Sequence, residues 1–121
     1  MSSSCWSFPL ARADQRRGIQ RERDLVNWLR DHDWFAMRAP ASLGVADIVA
    51  LRRDRAGRCE ARLIEVKSTK AGPYAKFGPA ARQKLAGAAY LSGAQAYLAW
   101  WPKHGDLVWI PSKDWPKAKE D

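Results

Sequence analysis

Three charged residues interrupt two apolar, strand-like runs. Asp47 lies in Ala46-Asp47-Ile48-Val49-Ala50-Leu51, and Glu65 and Lys67 lie in Ala61-Arg62-Leu63-Ile64-Glu65-Val66-Lys67. Strands disfavour aspartate, and charges among buried positions are costly unless paired or bound to metal. Side chains alternate across a strand, so Glu65 and Lys67 share a face. If the two runs form a hairpin turning near Arg55-Ala56, Asp47 sits opposite Ile64 or Glu65, and a slip of one residue reverses its face. In the favourable register two carboxylates and one ammonium converge. Paired carboxylates suit a hard cation such as Mg2+, which takes oxygen ligands and keeps several waters. Such a metal polarises a phosphoryl oxygen and activates water, while a lysine can orient that water or offset transition-state charge. The plainer reading of the same residues is a cross-strand salt bridge, since Asp…Glu-x-Lys is by itself a weak pattern.

Glu22 adds weight to the chemical reading. On a helical wheel with Glu22 as origin, Val26 lies about 40° and Ile19 about 60° to one side; Leu29 lies about 20° and Leu25 about 60° to the other. An acid therefore occupies the centre of an apolar stripe, with Arg21 and Arg23 flanking it. A buried carboxylate needs a partner. Three are open to it: Arg38 or Lys67 in an ion pair, or the metal site as a third acid, directly or through water.

The elements that must position these residues follow from periodicity and punctuation. A helix is predicted from Gly18 to about Asp31. A short strand follows from Trp34 to Ala39, then a loop from Pro40 to Gly44, then the two strands of the hairpin. A loop from Ser68 to Pro79 leads into a second helix, Ala80 to Ser92, with Ala81, Leu85, Ala88 and Ala89 on one face and Gly93 as C-cap. Two strands follow, Ala94 to Trp101 and Leu107 to Ile110. Residues 1–17 read as a flexible basic arm carrying Arg12, Arg16 and Arg17, residues 18–111 as the folded domain, and residues 112–121 as a charged tail that frays. The order α, β, β, β, α, β, β gives an α/β fold, a small mixed sheet flanked by helices. Of the seven tryptophans, Trp28, Trp100, Trp101 and Trp109 are expected in cores, with alternation turning Trp100 and Trp101 to opposite faces.

Composition sets the class of partner. The 121 residues suit one domain, and 21 Lys and Arg against 13 Asp and Glu give a net charge of +8. A polyanion is the natural partner of such a surface, through phosphate contacts and counterion release. The basic residues are scattered and not gathered on one amphipathic helix, which argues against an anionic membrane. No apolar run approaches a membrane span. Cys5 and Cys59 lack metal-type spacing and read as reduced cytoplasmic thiols.

Taken in order, four stretches resemble the archaeal-type Holliday junction resolvases of the PD-(D/E)xK nuclease superfamily. They are Gly18-x-x-x-Glu22-Arg23, Arg38-Ala39-Pro40-Ala41-Ser42, Val45-Ala46-Asp47-Ile48-Val49-Ala50 and Ile64-Glu65-Val66-Lys67-Ser68. The similarity covers roughly Arg17 to Lys70. It implies a restriction-endonuclease-like nuclease fold and a metal-dependent endodeoxyribonuclease that cuts four-way DNA junctions symmetrically as a homodimer; the expected location is cytoplasmic, associated with the nucleoid or, for a viral protein, in the host cytoplasm. It implies Mg2+, with Mn2+ as a substitute, held by Asp47, Glu65 and the carbonyl of Val66, with Glu22 an acid of the same site. Lys67 would be the catalytic lysine. Arg38 and Ser42 match positions near the scissile phosphate, and Arg23 matches a basic position near DNA. Lys70 and Lys76 belong to the adjoining loop, where DNA contact is expected too. The chain departs from the pattern in having Ala46 before the aspartate, a loop one residue longer between Ala39 and Ala46 than in some relatives, and a longer N-terminal arm. The rival readings are another nuclease of the same superfamily, acting on flaps, ends or a specific sequence, and a catalytically idle DNA-binding module.

Overall fold

A computed structural model describes residues 13–39, 45–102 and 105–117. It contains α1 (Ala13–Asp31), β1 (Phe35–Arg38), β2 (Ile48–Arg53), β3 (Cys59–Lys67), α2 (Pro79–Ser92), β4 (Gln95–Trp100) and β5 (Val108–Pro111), followed by a 3-10 turn at Ser112–Asp114. The strands form one sheet in the order β1-β2-β3-β4-β5. All neighbours are antiparallel except β3 and β4. A parallel step needs a crossover, which α2 supplies. The expected mixed sheet with flanking helices is the one that forms.

Both helices end by the same device. Asp33 adopts φ 69°, a left-handed conformation that Asp tolerates better than most residues. The Asp33 and Trp34 N–H groups then return to the Arg30 and Leu29 carbonyls at 3.2 and 3.0 Å. Gly93, φ 73°, repeats the arrangement for α2, with Gly93 and Ala94 donating to Tyr90 and Ala89. These are Schellman caps, in which orphan carbonyls of the last turn are satisfied and the chain is turned into the next strand.

Leu25, Val26 and Leu29 of α1 pack with Trp34, Ile48, Ala50, Ile64, Val66 and Ala99 on one face of the sheet. Leu85 and Ala89 of α2 pack with Phe77, Ala96, Leu98 and Trp115 on the other. Full burial of one such leucine or isoleucine stabilises the fold by roughly 1.5–3 kcal/mol. Ile64 and Val66 thus face α1, and alternation sends Glu65 and Lys67 to the opposite face.

Several expectations are corrected. α1 opens at Ala13 and runs through Gly18, so residues 13–17 are helical and not part of an arm. Ile19, expected in the apolar stripe, is exposed. On α2 the inward face carries Arg82 in place of Ala81, which is exposed. The Arg82 guanidinium donates to the Phe77 carbonyl at 2.8 Å, which lets a charged side chain sit inside. The segment after Pro111 does not fray at its start: Trp115 is only 7% exposed, stands edge-on to Phe77, and donates its indole N–H to the Ile110 carbonyl. Among the described tryptophans, Trp34 and Trp115 are the buried ones. Trp28 is 44% exposed and stacks on His32, while Trp100, Trp101 and Trp109 are half-buried. Among the described residues no helix is long and apolar enough to cross a membrane.

Candidate active site

The hairpin register places Ile48 opposite Ile64. Yet the Asp47 N–H also donates to the Ile64 carbonyl, at 2.9 Å. Two successive residues of one strand therefore address a single residue of the other, the count of a β-bulge. Bulges re-aim side chains, and this one turns the Asp47 carboxylate toward β3. Its Oδ2 accepts from the Val66 N–H at 2.8 Å. On the other side the Asp47 carbonyl accepts from the Ala39 N–H at 2.8 Å. Asp47 is thus held by backbone on both flanks. Glu65 and Lys67 stand on the neighbouring strand, with Lys67 Nζ 3.1 Å from Glu65 Oε2. The Ile64 carbonyl faces β2, so period-two alternation turns the Val66 carbonyl to that same edge.

Burial and charge are in conflict here. Glu65 is pushed up from 4.5 to about 7, first by burial and then by repulsion from Asp47, with Lys67 opposing. Asp47 is raised by burial, against the lowering effect of the Val66 N–H. Glu22 is raised by burial too, against its hydrogen bond from Arg38. The carboxylates hold more negative charge than Lys67 and Arg38 balance. Hard oxygen donors with unbalanced charge fit a divalent cation. No three His, Cys, Asp or Glu side chains among the described residues form a metal-holding group. The groups that could hold such an ion are the Asp47 and Glu65 carboxylates and the Val66 carbonyl.

Glu22 is brought near this pair but is engaged elsewhere. Its Oε1 accepts from Arg38 Nε at 3.0 Å, so of the three partners open to it from sequence, Arg38 is the one it meets. Arg38 ends β1 and is exposed enough to reach a ligand. Ser42 lies outside the described residues. Arg23 is exposed on α1 and does not line the cavity beside Lys67. Lys70 and Lys76 do line it. That cavity also takes in Arg17, Arg21 and Trp101, which the motifs did not single out. The spacing of Arg17 and Arg21, one helical turn apart on Glu22's own helix, was the available signal.

The sequence matches the family described as archaeal Holliday junction resolvase (Hjc) over residues 13–120. No curated protein matches the chain. Among solved structures, the Holliday junction resolvase Hjc of the archaeal hyperthermophile Archaeoglobus fulgidus is similar, with a TM-score of 0.63 and 27% identity over 80% of this chain and 74% of that one. The five-stranded sheet with its two helices is a PD-(D/E)xK nuclease fold. With Asp47, Glu65 and Lys67 at the end of the β2–β3 hairpin and the family match spanning the described fold, the chain belongs to the archaeal Holliday junction resolvase family.

Proposed function

We propose that the protein is a divalent-metal-dependent endodeoxyribonuclease that resolves four-way DNA junctions by symmetric hydrolysis, working as a homodimer in the cytoplasm, associated with the nucleoid. The observation that carries the reading is the bulge-aimed Asp47 beside Glu65 and Lys67, two acids short of counter-charge. Asp47, Glu65 and the Val66 carbonyl would hold Mg2+, or Mn2+ in its place. When bound, the ion supplies Lewis acidity toward a phosphoryl oxygen and activates water. Asp47 arrives already oriented by the Val66 N–H, so little reorganisation is needed. Glu65 holds Lys67 within 3.1 Å, which places an ammonium beside the attacked phosphate, where it orients water or offsets developing charge. Glu22 fixes the Arg38 guanidinium at the rim, from which it reaches the scissile phosphate. Ser42 is assigned a phosphate contact on the resemblance alone, and Arg23, Lys70 and Lys76 contacts to flanking DNA.

The test is cleavage of a fixed synthetic four-way junction, a linear duplex and a flap, each with Mg2+ and with chelator. Paired, symmetric nicks in the junction, dependent on metal, are expected. Preferential cutting of the flap or duplex would move the protein to another nuclease activity. No cutting of any substrate alongside tight DNA binding would make it a binding module.

A further inference from the structure

A cavity of about 640 Å³ opens beside Lys67, between α1 and the loop that leaves β3. Its cationic lining is Arg17 and Arg21 on one wall, with Lys67, Lys70 and Lys76 on the other, and among the described residues no carboxylate lines it. Of these, Lys67 alone is in a salt bridge among the described residues. Gathering four further cations without counter-charge is unfavourable unless an anion joins them. Trp101 also lines the cavity. The Arg21 guanidinium lies 4.6 Å over its ring, and its indole N–H is buried with no acceptor among the described residues. A buried donor without a partner is costly. The Trp101 N–H of the backbone donates to the Lys67 carbonyl at 2.8 Å, so this part of the groove is tied directly to the active-site lysine. The cations and the indole N–H lack the same thing, an acceptor carrying negative charge.

We propose that the DNA strand leaving the scissile phosphate runs through this groove, with consecutive phosphates held by Arg17 and Arg21 against Lys70 and Lys76, and with Trp101 seating Arg21. This rests on the reading of Lys67 as the lysine beside the scissile phosphate and adds Arg17, Arg21 and Trp101 to it. The strand on one side of the cut is then read by charge alone, without base contacts. Arg21 is held over the indole before DNA arrives, so a phosphate meets a positioned guanidinium and not a mobile one.

The test is equilibrium binding in chelator, so that nothing is cut, to a fluorescent four-way junction and to versions bearing neutral methylphosphonates at successive positions on either side of the cleaved bond. In the R17Q/R21Q variant the dissociation constant should rise roughly tenfold or more, and the salt slope should become shallower by about two. Methylphosphonates on one side of the cut should weaken the wild type and add little to the loss already present in the variant. R53Q/R55Q removes the same charge from the exposed hairpin tip and serves as the control. Equal weakening by both double variants, or fully additive losses between R17Q/R21Q and every methylphosphonate, would overturn the groove. Trp101→Phe keeps an aromatic face for Arg21 and removes the N–H. It should weaken junction binding several-fold without lowering the melting temperature, and unchanged binding would remove the N–H from the contact. Wild-type protein that binds junctions but cuts none would sink the functional reading and leave this binding cycle intact.

Discussion

Replacing Glu65 by glutamine should stabilise the metal-free protein above neutral pH. The carboxyl is raised from 4.5 to about 7 by burial and by Asp47. A group whose folded pKa lies above its unfolded one favours the fold while protonated. That contribution is fully present below about 4.5 and is lost as pH rises through about 7. At about 1.4 kcal/mol per pH unit, ionised Glu65 costs the native state on the order of 3 kcal/mol by pH 8. Glutamine keeps the shape of the neutral acid and does not ionise. It forgoes the 3.1 Å contact of Glu65 with Lys67, whose effect is already contained in the raised value. The variant should therefore exceed the wild type by about 2–3 kcal/mol at pH 8, or roughly 10 °C in melting temperature for a domain of this size. Near pH 4 the two should coincide. The assay is thermal unfolding of both proteins from pH 4 to 8 in chelator, repeated with saturating Mg2+. With metal the order should invert, because an ion that binds only the native state stabilises it by mass action and the variant has lost a ligand. Equal stabilities at pH 8 in chelator, or a less stable variant, would refute the claim that the acids stand in unrelieved repulsion.

Four further outcomes are expected. Glu22→Gln should cost no more than about 1 kcal/mol, since its pair with Arg38 is partly solvated, yet should slow junction cleavage, because an amide oxygen holds the Arg38 guanidinium less firmly than a carboxylate; melting and cleavage measured on one sample separate the two roles. Mg2+ and Mn2+ should restore cleavage after chelation, while Ca2+, with its looser coordination, should support junction binding without turnover, followed by gel shift and by product formation. Trp115→Ala should lower stability by about 3–5 kcal/mol, read by urea unfolding, because the side chain is buried against Phe77. Light scattering of the junction-bound protein should give two protomers per junction, and one protomer would remove the paired-cut mechanism.

The convergence of Asp47, Glu65 and Lys67 is legible in sequence to the extent that it depends on order along the chain. Asp47, Glu65 and Lys67 were identified by their misfit in apolar strands, and the hairpin estimate left Asp47 opposite either Ile64 or Glu65. The structure shows why a single answer was unobtainable: the bulge gives Asp47 a backbone bond to Ile64 and a side-chain bond to Val66. Bulges depend on both strands at once and leave little trace in either. Gly18 reads as a boundary in sequence, yet α1 runs through it from Ala13, because helix propensity penalises one glycine by only about 1 kcal/mol. Arg82 was passed over because arginine is rarely buried, and its acceptor, the Phe77 carbonyl, belongs to the turn before the helix. Tryptophan burial is read from membership of regular elements, yet Trp28 on α1 is exposed, while Trp115 lies beyond the last strand and is held inside by turn geometry.

β3 serves the core and the site through alternate residues. Ile64 and Val66 anchor it under α1, and Glu65 and Lys67 project from the other face at the end where β2 has stopped. A substitution at Ile64 that leaves a cavity would therefore act twice. It would remove packing worth about 1 kcal/mol or more even as Val, and it would shift the carbonyl to which Asp47 is bonded. The same coupling explains why the acids can be kept unbalanced. Their repulsion works against a strand paired along one edge to β4 and tied on the other by the Asp47 carboxylate to the Val66 N–H, which opposes relaxation by local fraying. The charge conflict is retained in the folded protein as affinity for whatever cation relieves it, and the apolar residues interleaved with the acids keep it from dissipating.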